Sequence, residues 1–546
     1  MCKFDAALAD AESTIADGEK MKSSIERALL RKAAALYGLG RYRECNDTLV
    51  RLRTEYPKGG SKDSARGLLT RSLARHAEVK HGRYNFGEMH MDTEIVRPPH
   101  LDYATYIGPV QVRSSPGRGR GIFTTKAVKV GDLLFCEKAF AHAFYDDRAD
   151  STHKKNMAVL IDVGNDRITM GTQPELINMV LQKIYRNPSL ARDVVGLHCG
   201  SYQSVTHAPT ANRTGNNNDR STGTASALPV VDNSPVIDTF LIQRIIALNV
   251  FGCPSISTRA DHYTKEGRQR KQERDDRDRT TEQRFHSSGL WTFASHMNHS
   301  CVSNTRRAFI GDMMVVRATK DLPANTELTC WYSTVSSSET SRNEKLKQHW
   351  GFTCDCSLCV DERNNSNMSA SLKQKRIGLR LQQIFDNFLD RDGGKITKKE
   401  AKELDKLAVE FEATYEGCAP ASEAPRLSLF EMTACLVQLY YAEENSDPVK
   451  GIKYILAALK ALGFVIEGGD VSKTSGGSDK KEGKLVVKQW GMMLDDVLKY
   501  WFKLSQMYHL AGYLTLAGVA LDYASITYKI CAGEDETFRE VYGVLF

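Results

Sequence analysis

Two short clusters hold the residue types best suited to chemistry in this sequence. The stretch 297–304, MNHSCVSN, contains two Asn, one His, one Cys and two Ser within eight positions. No hydrophobic period runs through it, which argues against an amphipathic helix or a half-buried strand. Taken alone, it is compatible with a polar loop, a metal site, a Cys–His catalytic pair or a cofactor-binding loop. The catalytic pair is the least favoured, because residues two apart in a loop, such as His299 and Cys301, rarely orient each other.

The second cluster, CDCSLC, predicts a metal site. Three thiolates as close in sequence as Cys354, Cys356 and Cys359 can converge on one ion. Tetrahedral zinc requires four ligands, and the candidates for the fourth are His349, which is near in sequence, and a distant cysteine such as Cys301. Sites of this kind are usually closed, so we expect the ion to be structural and not catalytic.

The length of the chain leaves room for several domains. Its 546 residues are 41% hydrophobic and 26% charged, and the net charge of +7 is a mild bias that fits weak attraction to acidic surfaces and says little about tight nucleic-acid binding. We do not expect direct binding to nucleic acid. No apolar run is long enough to span a bilayer, and the N-terminus lacks the apolar region of a secretory signal. We therefore expect a protein of the nucleus and/or cytoplasm with no membrane partner, whose 13 cysteines stay reduced.

The elements that must position these clusters begin with helices. Apolar residues in the segment 42–56 recur at spacings of three and four, and the segment 25–39 carries a second apolar face. Gly40 lies between the two segments, which is typical of a tetratricopeptide (TPR) helix pair, although a plain helical hairpin fits as well. One pair cannot bury its own faces, so a neighbour such as the segment 65–76 must cover it.

The middle of the chain alternates between strand and helix patterns. Short β-branched runs broken by Gly and Pro predict strands and tight turns in 106–140 and again in 305–332. Residues 150–200 are predicted to be helical, and residues 240–251 to form a short apolar helix. Beyond residue 370 the chain is predicted to be helical almost to its end, in TPR-like pairs.

Four further segments are predicted to be insertions or connections. The low-complexity stretch 204–227 has little to bury, and 472–484 has the composition of a flexible loop. The interleaved charges of 265–284 favour a solvated insertion over a nuclear-import or nucleic-acid patch. We interpret 390–400 as a helix–helix connection, because it lacks the oxygen donors that a calcium loop needs at its first, third and fifth positions.

Four motifs occur in the order found in SET-domain lysine methyltransferases: GRGRGIF at 117–123, NHSC at 298–301, ELTCWY at 327–332 and CDCSLC at 354–359. Over roughly residues 105 to 360, the chain resembles the SET-and-MYND group and its fungal relatives that carry TPR segments. The resemblance implies an α+β fold, in which all-α TPR-like regions flank a β-rich SET core with a small zinc-bound post-SET segment. The expected regions are a TPR-like domain at 1–100, a SET domain at 105–335 with insertions at about 145–235 and 255–285, a post-SET zinc segment at 336–365 and a TPR-like domain at 370–546.

The resemblance also implies S-adenosylmethionine as the methyl donor and a lysine of a histone tail or another protein as the acceptor. By the family's pattern, the cofactor-binding residues are Arg118, Gly119, Arg120, Asn249, Asn298, His299 and Phe352. Asn298 and His299 would hold the amino-acid and adenine portions of the cofactor, and Phe352 would pack against the adenine. Simpler interpretations are that the two arginines are solvated turn residues and that Asn249 caps its helix in a left-handed conformation.

The same family pattern assigns the remaining site residues. Tyr332 resembles the catalytic tyrosine, which we expect to orient the substrate amine and not to act as a general base. Cys301 would be the fourth zinc ligand beside Cys354, Cys356 and Cys359, so that one loop would serve both the cofactor and the metal.

The chain departs from the family at two points. Ser303 stands where the family usually has Pro, which predicts a small loosening of that turn. No cysteine occurs between Phe140 and Gly196, so the MYND zinc finger is missing and its partner recognition is not transferred. We expect a protein-lysine N-methyltransferase whose TPR-like helices bind a substrate or partner protein. The alternative is a catalytically weak SET scaffold that acts through those helices.

Overall fold

The computed structural model describes most of the chain. The described residues are 2–17, 21–144, 158–162, 167–203, 228–231, 234–253, 287–333, 335–336, 338–364, 368–389, 397–441, 446–471 and 483–542. The predicted insertions at 204–227 and 265–284, and most of the predicted loops at 390–400 and 472–484, lie outside these residues.

The observed elements mix helices and strands, which confirms the α+β class. The helices are α1 Phe4–Ala16, α2 Lys22–Gly38, α3 Tyr42–Glu55, α4 Lys62–His81, α5 Phe86–Ile95, α6 Gln173–Arg186, α7 Arg192–Val195, α8 Thr239–Asn249, α9 Glu339–Trp350, α10 Ser357–Asn364, α11 Met368–Leu389, α12 Lys398–Glu412, α13 Leu427–Tyr441, α14 Pro448–Ala461, α15 Asp496–Leu510, α16 Leu514–Ala532 and α17 Phe538–Tyr542. The strands are β1 Tyr106–Ile107, β2 Val110–Ser115, β3 Gly119–Thr124, β4 Leu133–Lys138, β5 Ala141–Ala143, β6 Ala158–Asp162, β7 Arg167–Gly171, β8 Val230–Val231, β9 Ser234–Pro235, β10 Phe251–Cys253, β11 Ser287–Leu290, β12 Asn298–His299, β13 Thr305–Ile310, β14 Met313–Ala318, β15 Glu327–Cys330, β16 Val465–Gly468 and β17 Leu485–Gln489.

These elements belong to two compact units. The first unit comprises Met1–Arg120, Leu133–His296 and Ala308–Val315, and the second comprises Gly121–Asp132, Met297–Arg307 and Val316–Phe546. Among the helices of the described residues, none combines the length and the apolar character that a membrane crossing requires.

The N-terminal helices of the first unit confirm the predicted helical region. Helices α2 and α3 cover the two predicted segments, and Gly40 between them has a φ of +74°, a conformation that favours glycine. Helices α1 to α4 share one core, whose fully buried residues include Leu29, Leu36 and Leu49. This packing supplies the neighbours that a single helix pair needs, and it is compatible with TPR-like repeats.

The helical prediction for 150–200 is correct for α6 but wrong for β6 and β7. These strands form an antiparallel hairpin in which Val159 pairs with Met170 and Ile161 pairs with Ile168. Val159 and Ile161 are β-branched residues at alternate positions, a pattern that favours a strand. The apolar run in which they lie is too short to distinguish a strand from part of a helix. Helix α6 packs with α8 around one core, and α8 ends at Asn249, two residues before the predicted end, because the chain then enters β10 of the sheet β10–β11–β5.

The second unit brings two of the motifs side by side in a sheet. Strand β12 lies parallel to β15, with Asn298 opposite Thr329 and His299 opposite Cys330. Strand β15 runs antiparallel to β3, with Leu328 opposite Ile122. NHSC and ELTCWY are therefore neighbours, although 25 residues separate them in the sequence.

The C-terminal part of the second unit is helical as predicted, with one exception. Strands β16 and β17 form an antiparallel hairpin between α14 and α15, where the sequence predicted only a loop between helices. Of the segment predicted to connect two helices, 390–400, the described part starts at Thr397, the N-cap of α12, and α11 ends at Leu389, directly before the segment. Glu400 closes a capping box with Thr397 at the start of α12, which explains this acidic residue without a calcium ion.

Candidate functional site

A polar corner forms where β12 meets β15 in the second unit. Asn298 Nδ2 donates a hydrogen bond of 2.7 Å to Glu327 Oε1. Asn298 is opposite Thr329, and Glu327 precedes Thr329 by two positions, so the two side chains share one face of the sheet. We refer to Gly121, Asn298 and Glu327 as the polar corner.

Gly121 completes the polar corner by having no side chain. A Cβ atom at this position would collide with Glu327 Oε1 and would lie 3.2 Å from Asn298 Nδ2. The family pattern names Gly119 among the cofactor-binding residues, and Gly121 follows it two positions later in the same motif. The structure gives them separate reasons, because Gly119 has a φ of +74° and an open surrounding, whereas Gly121 leaves space for a carboxylate.

The imidazole of His299 connects two parts of the site. It is 6% exposed, its Nδ1 accepts a hydrogen bond of 3.2 Å from the backbone N–H of Tyr332, and its Nε2 lies 3.4 Å from Cys301 Sγ. Because Nδ1 accepts, the neutral ring carries its proton on Nε2 and donates it to the sulfur. Both ring nitrogens are used within the chain, so a contact of His299 with a cofactor would have to come from its backbone or its ring carbons.

Tyr332 is held by its hydroxyl and by surrounding rings. The hydroxyl donates a hydrogen bond of 2.9 Å to the carbonyl of Met297. The ring centroid lies 5.3 Å from that of His299, 5.1 Å from Trp350 and 6.2 Å from Phe352. The predicted residues Asn298, His299, Tyr332 and Phe352 therefore belong to one locality, whereas Trp350 was missed because ring contacts between distant segments leave no spacing signal.

The four cysteines proposed as zinc ligands come together in the second unit. One sulfur from each of Cys301, Cys354, Cys356 and Cys359 lies within 4.8 Å of the others, and Cys301 Sγ is 3.9 Å from Cys354 Sγ and 3.6 Å from Cys359 Sγ. Zinc–sulfur bonds of about 2.3 Å in a tetrahedron separate the sulfurs by about 3.8 Å. This cysteine cluster therefore fits a tetrahedral zinc ion, and His349 is not part of it.

Side chains of α9 and a backbone N–H before α10 contact the cysteine cluster. The Arg342 guanidinium lies 3.6 Å from Cys359 Sγ and 2.5 Å from the Glu362 carboxylate, and Asn343 Oδ1 accepts a hydrogen bond of 2.7 Å from Cys354 N. The Cys356 N–H lies 3.5 Å from Cys354 Sγ. Hydrogen bonding from the neighbouring thiols, first of all Cys301, lowers the pKa of Cys354. N–H and S–H donors around a sulfur favour the thiolate form that binds metal.

The cluster also decides between two interpretations of His299 and Cys301. The expectation that residues two apart would not orient each other is wrong, because their side chains meet at 3.4 Å. Cys301 Sγ nevertheless lies within the cysteine cluster, and the residue is 1% exposed. A buried sulfur with three cysteine neighbours is arranged as a ligand and not as a nucleophile.

Ser303 anchors its turn, so the predicted loosening is wrong. The side chain is 4% exposed, and its hydroxyl oxygen lies 2.6 Å from the Thr305 carbonyl oxygen and 2.8 Å from the Thr329 carbonyl oxygen, so its single proton is shared between these two acceptors. Asn304 adds a hydrogen bond of 2.8 Å from Nδ2 to the Glu327 carbonyl and accepts one of 2.8 Å from Thr329 N. These bonds attach the loop of NHSC to β15 without a proline.

The other predicted cofactor residues lie in the first unit. Arg118 and Arg120 are exposed, and the Arg120 guanidinium donates to the carbonyl of Gly196. Asn249 is buried, with Nδ2 donating to the carbonyls of His198 at 2.8 Å and Ile245 at 2.7 Å. The left-handed cap suggested for Asn249 is wrong, because it is the last residue of α8 and the C-cap that follows, Val250, has an extended conformation.

Comparisons with known proteins agree with the motifs on which this site is built. The SET-domain family pattern matches residues 119–333. A Gibberella zeae protein named Methyltransferase is 34% identical over 545 residues, which cover 98% of this chain and 66% of that protein. The Schizosaccharomyces pombe histone-lysine N-methyltransferase set5 is 31% identical over 91 residues, covering 16% of this chain and 28% of the relative. Human histone-lysine N-methyltransferase SMYD3 is 31% identical over 80 residues, covering 15% of this chain and 19% of the relative.

Proposed function

Residues 119–333 match the SET domain, and on that premise we propose that the protein transfers a methyl group from S-adenosylmethionine to the side-chain amine of a protein lysine. The observation that carries the proposal is the convergence of Asn298, His299, Tyr332 and Phe352 around the β12–β15 pair. The Gibberella, S. pombe and human relatives with methyltransferase names support it.

The residues of the second unit that we propose bind the methyl donor are Asn298, His299 and Phe352. When bound, S-adenosylmethionine supplies a methyl group on a sulfonium, which is already a good leaving group, so the protein contributes positioning and electrostatics. Asn298 offers a side-chain amide to the amino-acid portion, and Phe352 offers an aromatic face to the adenine. Arg118, Gly119, Arg120 and Asn249 stay proposals that rest on the resemblance.

Tyr332 is proposed to orient the lysine amine. A lysine must attack as a neutral amine, although its ordinary pKa of about 10.4 keeps it protonated at neutral pH. The aromatic surroundings of Tyr332 would disfavour the charged form. Because the hydroxyl donates its own proton to the Met297 carbonyl, its oxygen can accept a hydrogen bond from the amine. A tyrosine with an ordinary pKa of about 10 is a poor general base at neutral pH, so its role is orientation.

We propose that the cysteine cluster holds one structural zinc ion. Its all-thiolate ligand set would close the coordination sphere and join the NHSC loop to α10, on which Cys359 lies. The ion would add its binding free energy to folding. It would not take part in methyl transfer.

Binding of S-adenosylmethionine measured by calorimetry tests the proposal against the scaffold alternative. We expect one site per chain, with affinity that falls in Asn298→Ala and is unchanged in the exposed control Glu344→Gln. The absence of detectable binding to the zinc-loaded protein would favour a SET scaffold that acts through its TPR-like helices. An array of lysine peptides from histones and other proteins, incubated with the labelled donor, would then identify the substrate.

A further inference from the structure

We infer that Glu327 is a positioning residue that fixes the orientation of the Asn298 side-chain amide and thereby favours a cationic N–H donor in the ligand. The inference rests on the proposed function, because the ligand group in question is the ammonium of the methyl donor's amino-acid portion. In the sequence, Glu327 is the first residue of ELTCWY, and nothing in that motif indicates this role.

An ionised carboxylate accepts hydrogen bonds and cannot donate them. The 2.7 Å contact with Glu327 Oε1 can therefore form only when Asn298 presents its NH2 group, Nδ2, to the carboxylate. The amide oxygen of Asn298 is then turned away from Glu327. An amide oxygen accepts hydrogen bonds, so the pair prepares Asn298 to receive an N–H donor and disfavours the flipped amide, which would place its oxygen against the carboxylate.

The sheet is arranged to hold this carboxylate in place. Glu327 is opposite Phe123 in the β15–β3 pair, and Gly121 lies two positions before Phe123 on the same strand. The space that a Cβ atom at Gly121 would fill is occupied by Glu327 Oε1. Since a glutamate side chain is flexible, an alanine at position 121 would displace the carboxylate without displacing the backbone. Gly121 is not in a left-handed conformation, so alanine is tolerated by its backbone.

The charge of Glu327 adds to the effect of orientation. The Glu327 carboxylate is hydrogen-bonded to Asn298, the residue that would contact the ligand. At this short distance its negative charge attracts an ammonium group and repels a carboxylate group. A ligand that has the nucleoside but not the amino-acid portion gains from neither effect. The polar corner should therefore discriminate between S-adenosylmethionine and 5′-deoxy-5′-methylthioadenosine, which share the adenosine but differ in that portion and in the charge on the sulfur. S-adenosylhomocysteine has the amino-acid portion and an uncharged sulfur, so it should respond to the variants as S-adenosylmethionine does.

The test is calorimetry of full-length, zinc-loaded protein with both ligands. In Glu327→Gln, the negative charge is lost and either end of the new amide can face Asn298, so we expect S-adenosylmethionine to bind about 10-fold to 100-fold more weakly. Gly121→Ala should give a loss of similar size by moving Glu327. Affinity for 5′-deoxy-5′-methylthioadenosine should change by less than about 2-fold in both variants. Glu344→Gln is the matched control, because Glu344 is an exposed glutamate on α9.

A pair of exchanged residues tests orientation separately from charge. Asn298→Asp alone places two carboxylates together and should abolish detectable binding of S-adenosylmethionine. Asn298→Asp combined with Glu327→Gln restores a donor–acceptor pair with the carboxylate now facing the ligand, so binding should recover to within about 10-fold of wild type. Thermal unfolding of each variant verifies that it is folded.

The outcomes separate this inference from the proposed function. Wild type that binds S-adenosylmethionine, together with a Glu327→Gln variant that binds it equally well, overturns the inference and leaves the proposed function standing. An equal loss of both ligands in a folded Glu327→Gln variant overturns it too, because a general structural role would explain that result. Wild type that binds neither ligand overturns both.

Discussion

The polar corner and the cysteine cluster are built on the same loop, with Asn298 and Cys301 only three residues apart, yet they depend on different physics. The cysteine cluster consists of four similar soft ligands, of which Cys301, Cys354 and Cys359 are buried. The polar corner consists of three different residues, and its key element is a single hydrogen bond between Asn298 and Glu327. In a metal site, the coordination geometry of the ion fixes the positions of the ligands. In a polar pair, the surrounding strands must hold both side chains in position.

His299 joins these two regions. Its Nε2 faces the cysteine cluster, and its Nδ1 accepts the N–H of Tyr332. The cluster can therefore be lost without direct damage to the polar corner, but it cannot be lost without consequences for the backbone of Tyr332. Four changes follow, from the largest expected effect to the smallest, and three of them test how separate the two regions are.

The largest effect is expected from Cys356→Ser. Wild type should contain about one zinc per chain, and this variant should lose it together with more than about 3 kcal/mol of unfolding free energy, since a structural metal contributes its binding free energy to folding. Metal analysis and chemical denaturation would measure both. Cys435→Ser, an exposed cysteine outside the cluster, should keep the zinc and the stability. Full zinc content in Cys356→Ser would show that the cluster is not the metal site.

A buried carboxylate in the first unit gives a contrast to the half-buried Glu327. Glu137 is 4% exposed and accepts hydrogen bonds of 2.8 Å from the N–H groups of Phe293 and Ala294. Burial raises its pKa to about 7, from an ordinary value of 4.5. The folded protein therefore binds more protons than the unfolded chain between these values, and its stability must fall as pH rises through that window.

We expect this carboxyl group to remove up to roughly 3 kcal/mol of unfolding free energy between pH 4.5 and pH 7.5. Glu137→Gln cannot ionise and should show a correspondingly flatter dependence. Urea denaturation across this range would measure the difference. Parallel slopes for wild type and Glu137→Gln would contradict the assignment.

His299→Leu should disturb the link between the two regions while leaving the metal bound. The change removes the partner of the Tyr332 N–H and of Cys301 Sγ, at an expected cost of about 1–3 kcal/mol. Zinc content should stay at about one per chain, because His299 is not one of the four ligands. His349→Leu is the control, since that exposed histidine lies outside the cluster and should change neither quantity. Loss of zinc in His299→Leu would mean that the regions are not separable.

The smallest effect is expected from Ser303→Ala. It removes the hydroxyl proton that is shared between the carbonyls of Thr305 and Thr329, which should cost about 1–2 kcal/mol of unfolding free energy. Zinc content and donor affinity should stay close to wild type. A variant as stable as wild type would show that the hydroxyl does not hold this turn.

The contrast between the cysteine cluster and the polar corner also explains which features could be predicted from the sequence. Cys354, Cys356 and Cys359 were recognisable from their spacing because cysteine is rare and metal ligands must converge, and the family resemblance added Cys301. Helices such as α3 and α6 followed from their apolar period. The hairpins β6–β7 and β16–β17 were missed, because a short apolar run does not distinguish a strand from part of a helix.

The residues of the site could be predicted from the sequence, but most of the contacts between them could not. Glu327 belongs to a recognised motif, but only the register of β15 with β12 and β3 reveals that its carboxylate meets Asn298 and requires Gly121. Ser303 was predicted to weaken a turn that its hydroxyl in fact holds, since the acceptors come from other positions in the folded chain. Orientation within a site depends on such pairs, which one sequence does not display.

Methyl transfer itself tests the central claim most directly. Zinc-loaded protein would be incubated with isotope-labelled S-adenosylmethionine and a mixture of histones and other lysine-containing proteins, in parallel with Tyr332→Phe. We predict label on lysine side chains with wild type, and a rate lower by about 100-fold in Tyr332→Phe with donor affinity little changed, because the hydroxyl orients the amine only during transfer. Transfer at the same rate by Tyr332→Phe, or none by wild type that binds the donor, would contradict the account.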